Sequence, residues 1–360
     1  MFAHVTVKNI IRDTDDSVVV SLNVPSDRMG DFSYTQGQNL TFIREFNGEE
    51  LRRSYSICSS VADKELRVGI KKVDGGIFST WANEELAIGD SIDVLPPTGD
   101  FYTELDAKQS KNYVGVAAGS GITPILSILK TILETETASA FTLIYGNKST
   151  DTIMFLEEIE GLKNKYPERL AVFNVLSREV QNSDLLNGRI DGKKVTQFLE
   201  LLIPAEQLND VFLCGPLEMV RSAQDAFGIA GLDKKNVHSE LFGTPEDLQA
   251  IANAKIQKSL TDEERSHLTK LIVVIDGKGS KLELARGGES ILDAALKVRK
   301  DLPFACKAGV CATCKAKVTK GKTEMDINYS LSDEEIEQGF VLTCQAHPIS
   351  DEVTVDFDEK

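Results

Sequence analysis

Three cysteines, Cys306, Cys311 and Cys314, stand at C-x4-C-x2-C within PFACKAGVCATC (303–314), and Cys344 lies well downstream. Thiolates at this spacing, with the fourth one remote, form the ligand pattern of plant-type [2Fe-2S] clusters. The rest of the chain has to be organised around that convergence. Between the thiolates stand Lys307, Ala308, Gly309, Val310, Ala312 and Thr313. Most are small, so the loop can fold close around a cluster and aim backbone N–H groups at its sulfurs. A structural zinc site is the bland alternative, but it usually shows two paired knuckles, and only one close pair exists here.

Six cysteines in 360 residues, four of them taken by one cluster, leave Cys58 and Cys214, which suits a reducing compartment without structural disulfides. The opening MFAHVTVKNI has no basic stretch followed by an apolar one, and no run approaches a membrane span. A cytoplasmic protein is expected. The formal charge of −16 argues against nucleic acid or an anionic membrane as a partner. The length suffices for two or three domains, each with its own core.

Alternating apolar residues predict strands over 5–10, 18–24, 40–44, 53–58, 66–71 and 91–94, punctuated by Gly, Pro, Asn and Asp. Six short strands at this spacing read as a small antiparallel β-barrel. Within it Arg53 offers a planar fork for a pyrophosphate, Tyr55 a flat ring for a flavin and Ser56 a hydroxyl for the ring's edge. Gly75-Gly76-Ile77-Phe78-Ser79 opens a helical stretch, where Gly76 permits close backbone approach and the first N–H groups suit a phosphate. Taken alone, Arg53-Ser54-Tyr55-Ser56 is equally a solvated charge and a half-buried aromatic on a strand.

A buried-type strand over 113–118 runs into Gly119-Ser120-Gly121-Ile122-Thr123-Pro124 and an apolar-faced helix. Strand, glycine turn and helix is the unit that sets a helix N-terminus against a dinucleotide pyrophosphate, although this is not the G-x-G-x-x-G fingerprint. Strands over 141–145, 170–176 and 211–213 alternate with helices over 151–163, 192–202 and 216–227, which predicts a doubly wound α/β domain. Its last strand ends in Cys214-Gly215-Pro216, at the carboxyl edge where such sheets bind ligands. Cys214 is otherwise a small core hydrophobe. A polar stretch over 243–270 reads as a linker. Strands over 271–275, 281–284, 315–319 and 353–357, with helices over 290–298 and 332–337, make an α+β ferredoxin of the β-grasp kind. The expected domains are therefore 1–105, 110–242 and 271–360.

The R-x-Y-S stretch, the GGxxS turn and Pro96-x-x-Gly99-x-Phe101 together resemble the flavin domain of the ferredoxin-NADP reductase superfamily. GSGITP and CGP resemble its pyridine-nucleotide domain. Gln36-Gly37-Gln38 stands where the superfamily usually has Pro-Gly-Gln, a departure that touches a turn. The resemblance implies FAD held by Arg53, Ser54, Tyr55, Ser56, Gly75, Gly76, Ser79 and Phe242. It implies a nicotinamide nucleotide held by Gly119, Ser120, Gly121, Thr123, Cys214, Gly215 and Pro216. Cys214 would lie beside the nicotinamide and Glu240 near the hydride-transfer face, which makes Ser56, Cys214 and Glu240 the expected catalytic set. Ser177-Arg178 resembles the pair with which NADP-specific relatives grip the 2'-phosphate, so NADPH is the expected donor and NADH the alternative; Glu179 follows at once.

A nicotinamide delivers two electrons as hydride and a [2Fe-2S] cluster accepts one at a time, so a flavin between them can split the pair. NGEELRRSYSICSS, FTLIYGNKS, NSDLLNGRIDG and PFACKAGVCATCKAKVTKGKTEM resemble the reductase subunits of phenylacetyl-CoA epoxidases, di-iron oxygenases of aerobic phenylacetate degradation. That resemblance implies an NAD(P)H-dependent reductase serving a di-iron oxygenase component. Reductases of other multicomponent monooxygenases and of ring-hydroxylating dioxygenases share the same parts. A redox-sensing iron-sulfur flavoprotein is the alternative of a different class.

Overall fold

The alternation of the first hundred residues becomes six strands: β1 (Ala3–Thr14), β2 (Ser17–Asn23), β3 (Asn39–Phe46), β4 (Glu49–Ser56), β5 (Leu66–Lys71) and β6 (Ser91–Val94). This computed structural model describes residues 2–242 and 267–359. The strands form one sheet in the order β4-β3-β6-β1-β2-β5. Its two edges meet where Ile57 bridges Val68 and the Cys58 N–H donates to the Arg67 carbonyl at 2.9 Å, so the sheet closes as the expected barrel. β4 starts at Glu49, ahead of the expected residue 53. Asn47 and Gly48, at φ 52° and 84°, form a left-handed two-residue turn that carries the strand into the polar NGEE segment. Inward residues Val5, Val20, Leu40, Phe42 and Val68 pack with Phe78 and Trp81 of α1 (Ile77–Glu84).

Gln36-Gly37-Gln38 clasps the barrel's last loop. Gly37 sits at φ 86°, and a Cβ there would lie 2.0 Å from the Phe101 carbonyl oxygen, so only glycine fits. Gln36 donates to the Thr103 carbonyl at 3.0 Å and Gln38 to that of Gly99 at 3.3 Å.

The second sheet is wholly parallel: β7 (Asn112–Ala118), β8 (Ala140–Asn147), β9 (Leu170–Leu176), β10 (Asp210–Gly215) and β11 (Val237–Leu241), in the order β11-β10-β7-β8-β9. Parallel strands have both faces covered. Phe141, Leu143 and Tyr145 join the core formed with α2 (Ile122–Thr135) and α3 (Leu156–Lys165), while Phe173 meets Phe198 of α4 (Gly192–Leu201) on the other side at 5.4 Å. α4 in turn packs on α5 (Leu217–Ile229). α3 begins five residues later than the pattern predicts. Phe155 takes a left-handed φ of 57°, with its N–H held by the Asp13 carboxylate at 2.9 Å, and this separates a short turn at 150–152 from the helix. β11 was unforeseen; its half-buried VHSEL shows no alternation.

The third sheet comprises β12 (Leu268–Ile275), β13 (Lys278–Ala285), β14 (Lys315–Lys320), β16 (Phe340–Leu342) and β18 (Glu352–Asp356), in the order β13-β12-β18-β14-β16. β15 (Thr323–Met325) and β17 (Ala346–Pro348) pair beside it. β12 and β18 run parallel at the centre, and α6 (Ile291–Leu296) packs Ile291 and Leu292 into their core with Val353 and Val355. This is the β-grasp plan. The three-residue strands β15 to β17 are too short to show a period and were not expected. α7 (Asp333–Glu337) sits within the predicted helical turn, closed by a capping box between Ser332 and Glu335. Of the expected linker at 243–270, residues 243–266 lie outside the described residues, and β12 takes up the rest from Leu268.

Two compact units result. One comprises Phe2–Leu51 and Tyr55–Thr244, which hold most of the barrel and the whole parallel sheet, and there Val19, Cys58 and Phe101 of the barrel pack directly into the core of the parallel sheet. The β-grasp sheet belongs to the other. Among the described residues no helix is long and apolar enough to cross a membrane.

Candidate functional site

In the order β11-β10-β7-β8-β9 the chain reverses direction between β7 and β10, and ligands of such sheets bind outside the carboxyl ends of the strands at that point. GSGITP follows β7 and CGP ends β10. The strands pair Ala117 with Cys214, so the register delivers both motifs to one spot. A Cβ on Gly121 would lie 2.2 Å from the Cys214 carbonyl oxygen, which makes glycine obligatory for the close approach. The Tyr145 hydroxyl donates to the Gly119 carbonyl at 2.9 Å, and Thr123 to that of Ser120 at 3.0 Å. The turn is therefore fastened internally, with α2 starting at its end.

β11 pairs Glu240 with Cys214, and the Phe242 N–H donates to the Gly215 carbonyl at 3.0 Å. Where β4 ends, the Ser56 hydroxyl donates to Glu240 Oε2 at 3.4 Å. Ser56, Cys214 and Glu240, remote in sequence, thus converge. Cys214 is fully buried, and burial together with the Glu240 charge pushes its thiol well above the ordinary range. It is a neutral, uncharged wall.

Tyr55 is half-buried, its ring tilted against Phe78 at 5.6 Å, and Arg53 is exposed. Gly75 has φ 71°, and Gly76 is the residue before the first turn of α1. The Ser79 hydroxyl accepts from the Val73 N–H at 3.1 Å and donates to the Gly76 carbonyl at 3.3 Å, so it closes this turn from within. Ser177 and Arg178 follow β9 and are exposed, their N–H groups bound to the Asn147 and Lys148 carbonyls. Glu179 is already engaged: its carboxylate accepts from the Thr150 N–H at 2.7 Å and the Thr150 hydroxyl at 2.9 Å.

Sequence reasoning missed the clamp that joins barrel to nucleotide sheet. Lys130 of α2 reaches Asp63 at 2.6 Å and Glu158 at 2.7 Å, Glu158 also receives Arg67 at 2.9 Å, and Ser127 donates to the Ser59 carbonyl at 2.7 Å. Its signal was a lone cation within the apolar ITPILSILKTIL. Burial alone would lower the ammonium's pKa, yet Glu158 and Asp63 hold Lys130 above its ordinary range. Asp63 responds inversely. Burial would raise its pKa, but Lys130 and the Ser60 N–H bring it below 3.8. A carboxylate depressed by folding contributes stability that is present above its unfolded pKa and lost as pH falls through the folded one. The stability difference between the native protein and Asp63→Asn is therefore expected to be constant at neutral pH and to shrink below pH 3.8, as measured by urea unfolding at a series of pH values.

In the β-grasp unit, the loop from 303 to 314 places Lys307, Gly309 and Ala312 at positive φ. The Ala308 N–H points at Cys306 Sγ at 3.3 Å and the Cys306 N–H at Cys311 Sγ at 3.5 Å. Thr343 fixes the base of the site, donating from its N–H (3.1 Å) and its hydroxyl (2.9 Å) to the Cys314 carbonyl. Among the described residues no three candidate ligands gather as a single metal ion requires. The thiols fall into two hydrogen-bonded pairs instead. Donation from one thiol to its neighbour holds Cys306 up and brings Cys311 down to about 6, and likewise holds Cys314 up and Cys344 down. Two thiolates per iron is what a binuclear cluster takes, so this donor set fits [2Fe-2S].

These parts define an NAD(P)H-dependent flavin and iron-sulfur oxidoreductase. Family models match all three: an oxidoreductase FAD-binding domain over residues 4–102, an oxidoreductase NAD-binding domain over 116–225 and a 2Fe-2S iron-sulfur cluster binding domain over 273–348. The chain is 42% identical to a component of the 1,2-phenylacetyl-CoA epoxidase of Escherichia coli (strain K12), across 100% of this chain and 98% of that one. It is 30% identical to the ferredoxin reductase component of 3-ketosteroid-9-alpha-monooxygenase of Rhodococcus rhodochrous, across 98% and 96%. Phthalate dioxygenase reductase, a solved structure, shares the fold with a TM-score of 0.58 at 21% identity, covering 99% of this chain and 98% of that one. The chain belongs to the ferredoxin-NADP reductase family whose members end in a [2Fe-2S] ferredoxin domain and pass electrons from NAD(P)H to an oxygenase component.

Proposed function

We propose that this reductase takes electrons from NADPH and delivers them, in the cytoplasm, to the di-iron oxygenase component of a phenylacetyl-CoA epoxidase. The observation that carries the reading of the site is the convergence of Ser56, Cys214 and Glu240 at the chain reversal of the parallel sheet. When bound, FAD supplies the conversion between a two-electron hydride donor and a one-electron acceptor. Arg53, Ser54 and Tyr55, with the N–H groups after Gly75 and Gly76, hold it; Phe242 covers it. The 119–123 turn and Cys214-Gly215-Pro216 seat the nicotinamide nucleotide. Cys214, neutral and buried, excludes water beside the ring, and Glu240 Oε2 holds the proton of the Ser56 hydroxyl in place. Cys306, Cys311, Cys314 and Cys344 bind the cluster.

The oxygenase assignment rests on the full-length likeness to the Escherichia coli epoxidase component. Reconstitution with phenylacetyl-CoA epoxidase components, scoring NADPH-dependent epoxidation, tests it; turnover only with a ring-hydroxylating or steroid oxygenase would overturn it. Donor choice follows from Arg178, exposed with no side-chain partner among the described residues, while Glu179 is occupied by Thr150. Arg178→Ala is expected to weaken NADPH by about 1.5–3 kcal/mol, the worth of a hydrogen bond to a charged group, and to leave NADH nearly unchanged. Equal losses in KM for both nucleotides would make Arg178 structural.

A further inference from the structure

Gln345 is a polar side chain in the cluster pocket that ligation does not account for. It follows Cys344 directly and is 3% exposed. Its Nε2 donates to the Lys307 carbonyl at 3.0 Å and reaches Cys344 Sγ at 3.7 Å, while Oε1 has no partner. The backbone on either side is pinned: the Gln345 N–H donates to the Leu342 carbonyl and its carbonyl accepts from the Asp326 N–H, both at 2.9 Å. Its Cγ lies where a side chain on Gly309 would press, 3.2 Å from that residue's would-be Cβ. Burying an amide with one atom unsatisfied costs free energy that an apolar side chain of equal length would not.

The cost is offset at two points. Lys307 holds a left-handed φ of 52°, which L-residues with side chains avoid. The bond from Gln345 fixes its carbonyl, and the same conformation turns the next N–H, that of Ala308, onto Cys306 Sγ at 3.3 Å. The second Nε2 hydrogen faces Cys344 Sγ. One carboxamide thereby governs N–H donation to one sulfur in each thiol pair.

We propose that Gln345 is a positioning residue that sets the reduction potential of the cluster, an inference resting on the four cysteines being its ligands. Reduction adds one negative charge spread over the sulfurs, and N–H groups aimed at them stabilise the reduced state more than the oxidised one. Removing the carboxamide makes the cluster harder to reduce.

The test is a potentiometric titration of the full-length protein, followed by visible absorption and by EPR of the reduced cluster, for the native chain and Gln345→Met. Methionine keeps the length and removes the donor. The expected result is about a tenfold fall in the reduced-to-oxidised ratio at fixed solution potential, equivalent to about 59 mV for one electron. A merely structural role would lower the fraction of chains carrying a cluster and leave the potential of the loaded fraction where it was, and that result overturns the proposal. Should Gln345→Met fail to retain a cluster, native protein labelled with 15N in glutamine side-chain amides decides. Pulsed EPR of its reduced cluster shows a 15N coupling if the proposal holds, and its absence overturns it. A native protein without a cluster would refute the ligand assignment first, which separates that failure from this one.

Discussion

Cys344→Ser is expected to abolish electron delivery to one-electron acceptors while leaving hydride acceptance by the flavin intact. Cys344 is buried, neighbours Cys314 and is the proposed ligand farthest in sequence from the other three. Serine is a poor ligand for soft, thiolate-bound iron, so a cluster held by these four cysteines would lose half of the protein ligands of one iron. The consequences are expected to stay in the β-grasp sheet, because the barrel and the parallel sheet have hydrophobic cores separate from it. NADPH-dependent reduction of ferricyanide, which takes electrons directly from flavin, should survive. Reduction of cytochrome c and of the oxygenase component should fall to background. If flavin reduction by NADPH is lost as well, the two units do not act as separable modules. Loss of the bound flavin itself would show that the substitution had damaged more than the cluster loop.

How much of this could be read from the residues varies with the range of the interaction. The C-x4-C-x2-C spacing is local and chemically restrictive, and the four thiols lie as two pairs in one unit. GSGITP and CGP are also local, and the alternation of strands and helices between them was enough to foresee that both reach the ligand edge. β11 was not legible, because VHSEL is half-buried up to Leu241 and shows no alternation, yet its pairing with β10 is what sets Glu240 beside Cys214. The Asn47-Gly48 hairpin is a local signal, an Asn-Gly pair at left-handed φ. The Lys130, Glu158, Arg67 and Asp63 clamp joins residues spread over nearly a hundred positions, so only the lone lysine on an apolar helix hinted at it. Gln345 looks like any polar residue after a cysteine. Only the fold shows that its amide is buried against the loop 306–311.

Gly121→Ala is expected to cost far more than its single methyl group suggests. The added Cβ would stand 2.2 Å from the Cys214 carbonyl oxygen, 2.6 Å from its carbonyl carbon and 3.1 Å from the Gly215 nitrogen, all of them backbone atoms that no rotamer change can clear. Either the 119–123 turn or the start of the Cys214-Gly215-Pro216 turn must move, and both are proposed to seat the same nucleotide. Overpacking of this kind costs about 1–3 kcal/mol of stability. The larger effect falls on geometry, since displacing a reacting pair by about 1 Å costs roughly 10²-fold in rate. Stopped-flow reduction of the flavin by NADPH should therefore slow by roughly that factor, with FAD and iron content unchanged. Gly119→Ala is the control. Gly119 has φ 54° and nothing within 4 Å of its would-be Cβ, so that variant bears only the left-handed strain of about 1–2 kcal/mol. It should leave the approach of the turn to Cys214 intact, which separates the backbone clash from the strain. If Gly121→Ala reduces flavin at the native rate, the contact between the two turns does not position the nicotinamide, and the convergence of Ser56, Cys214 and Glu240 must be maintained by β11 alone.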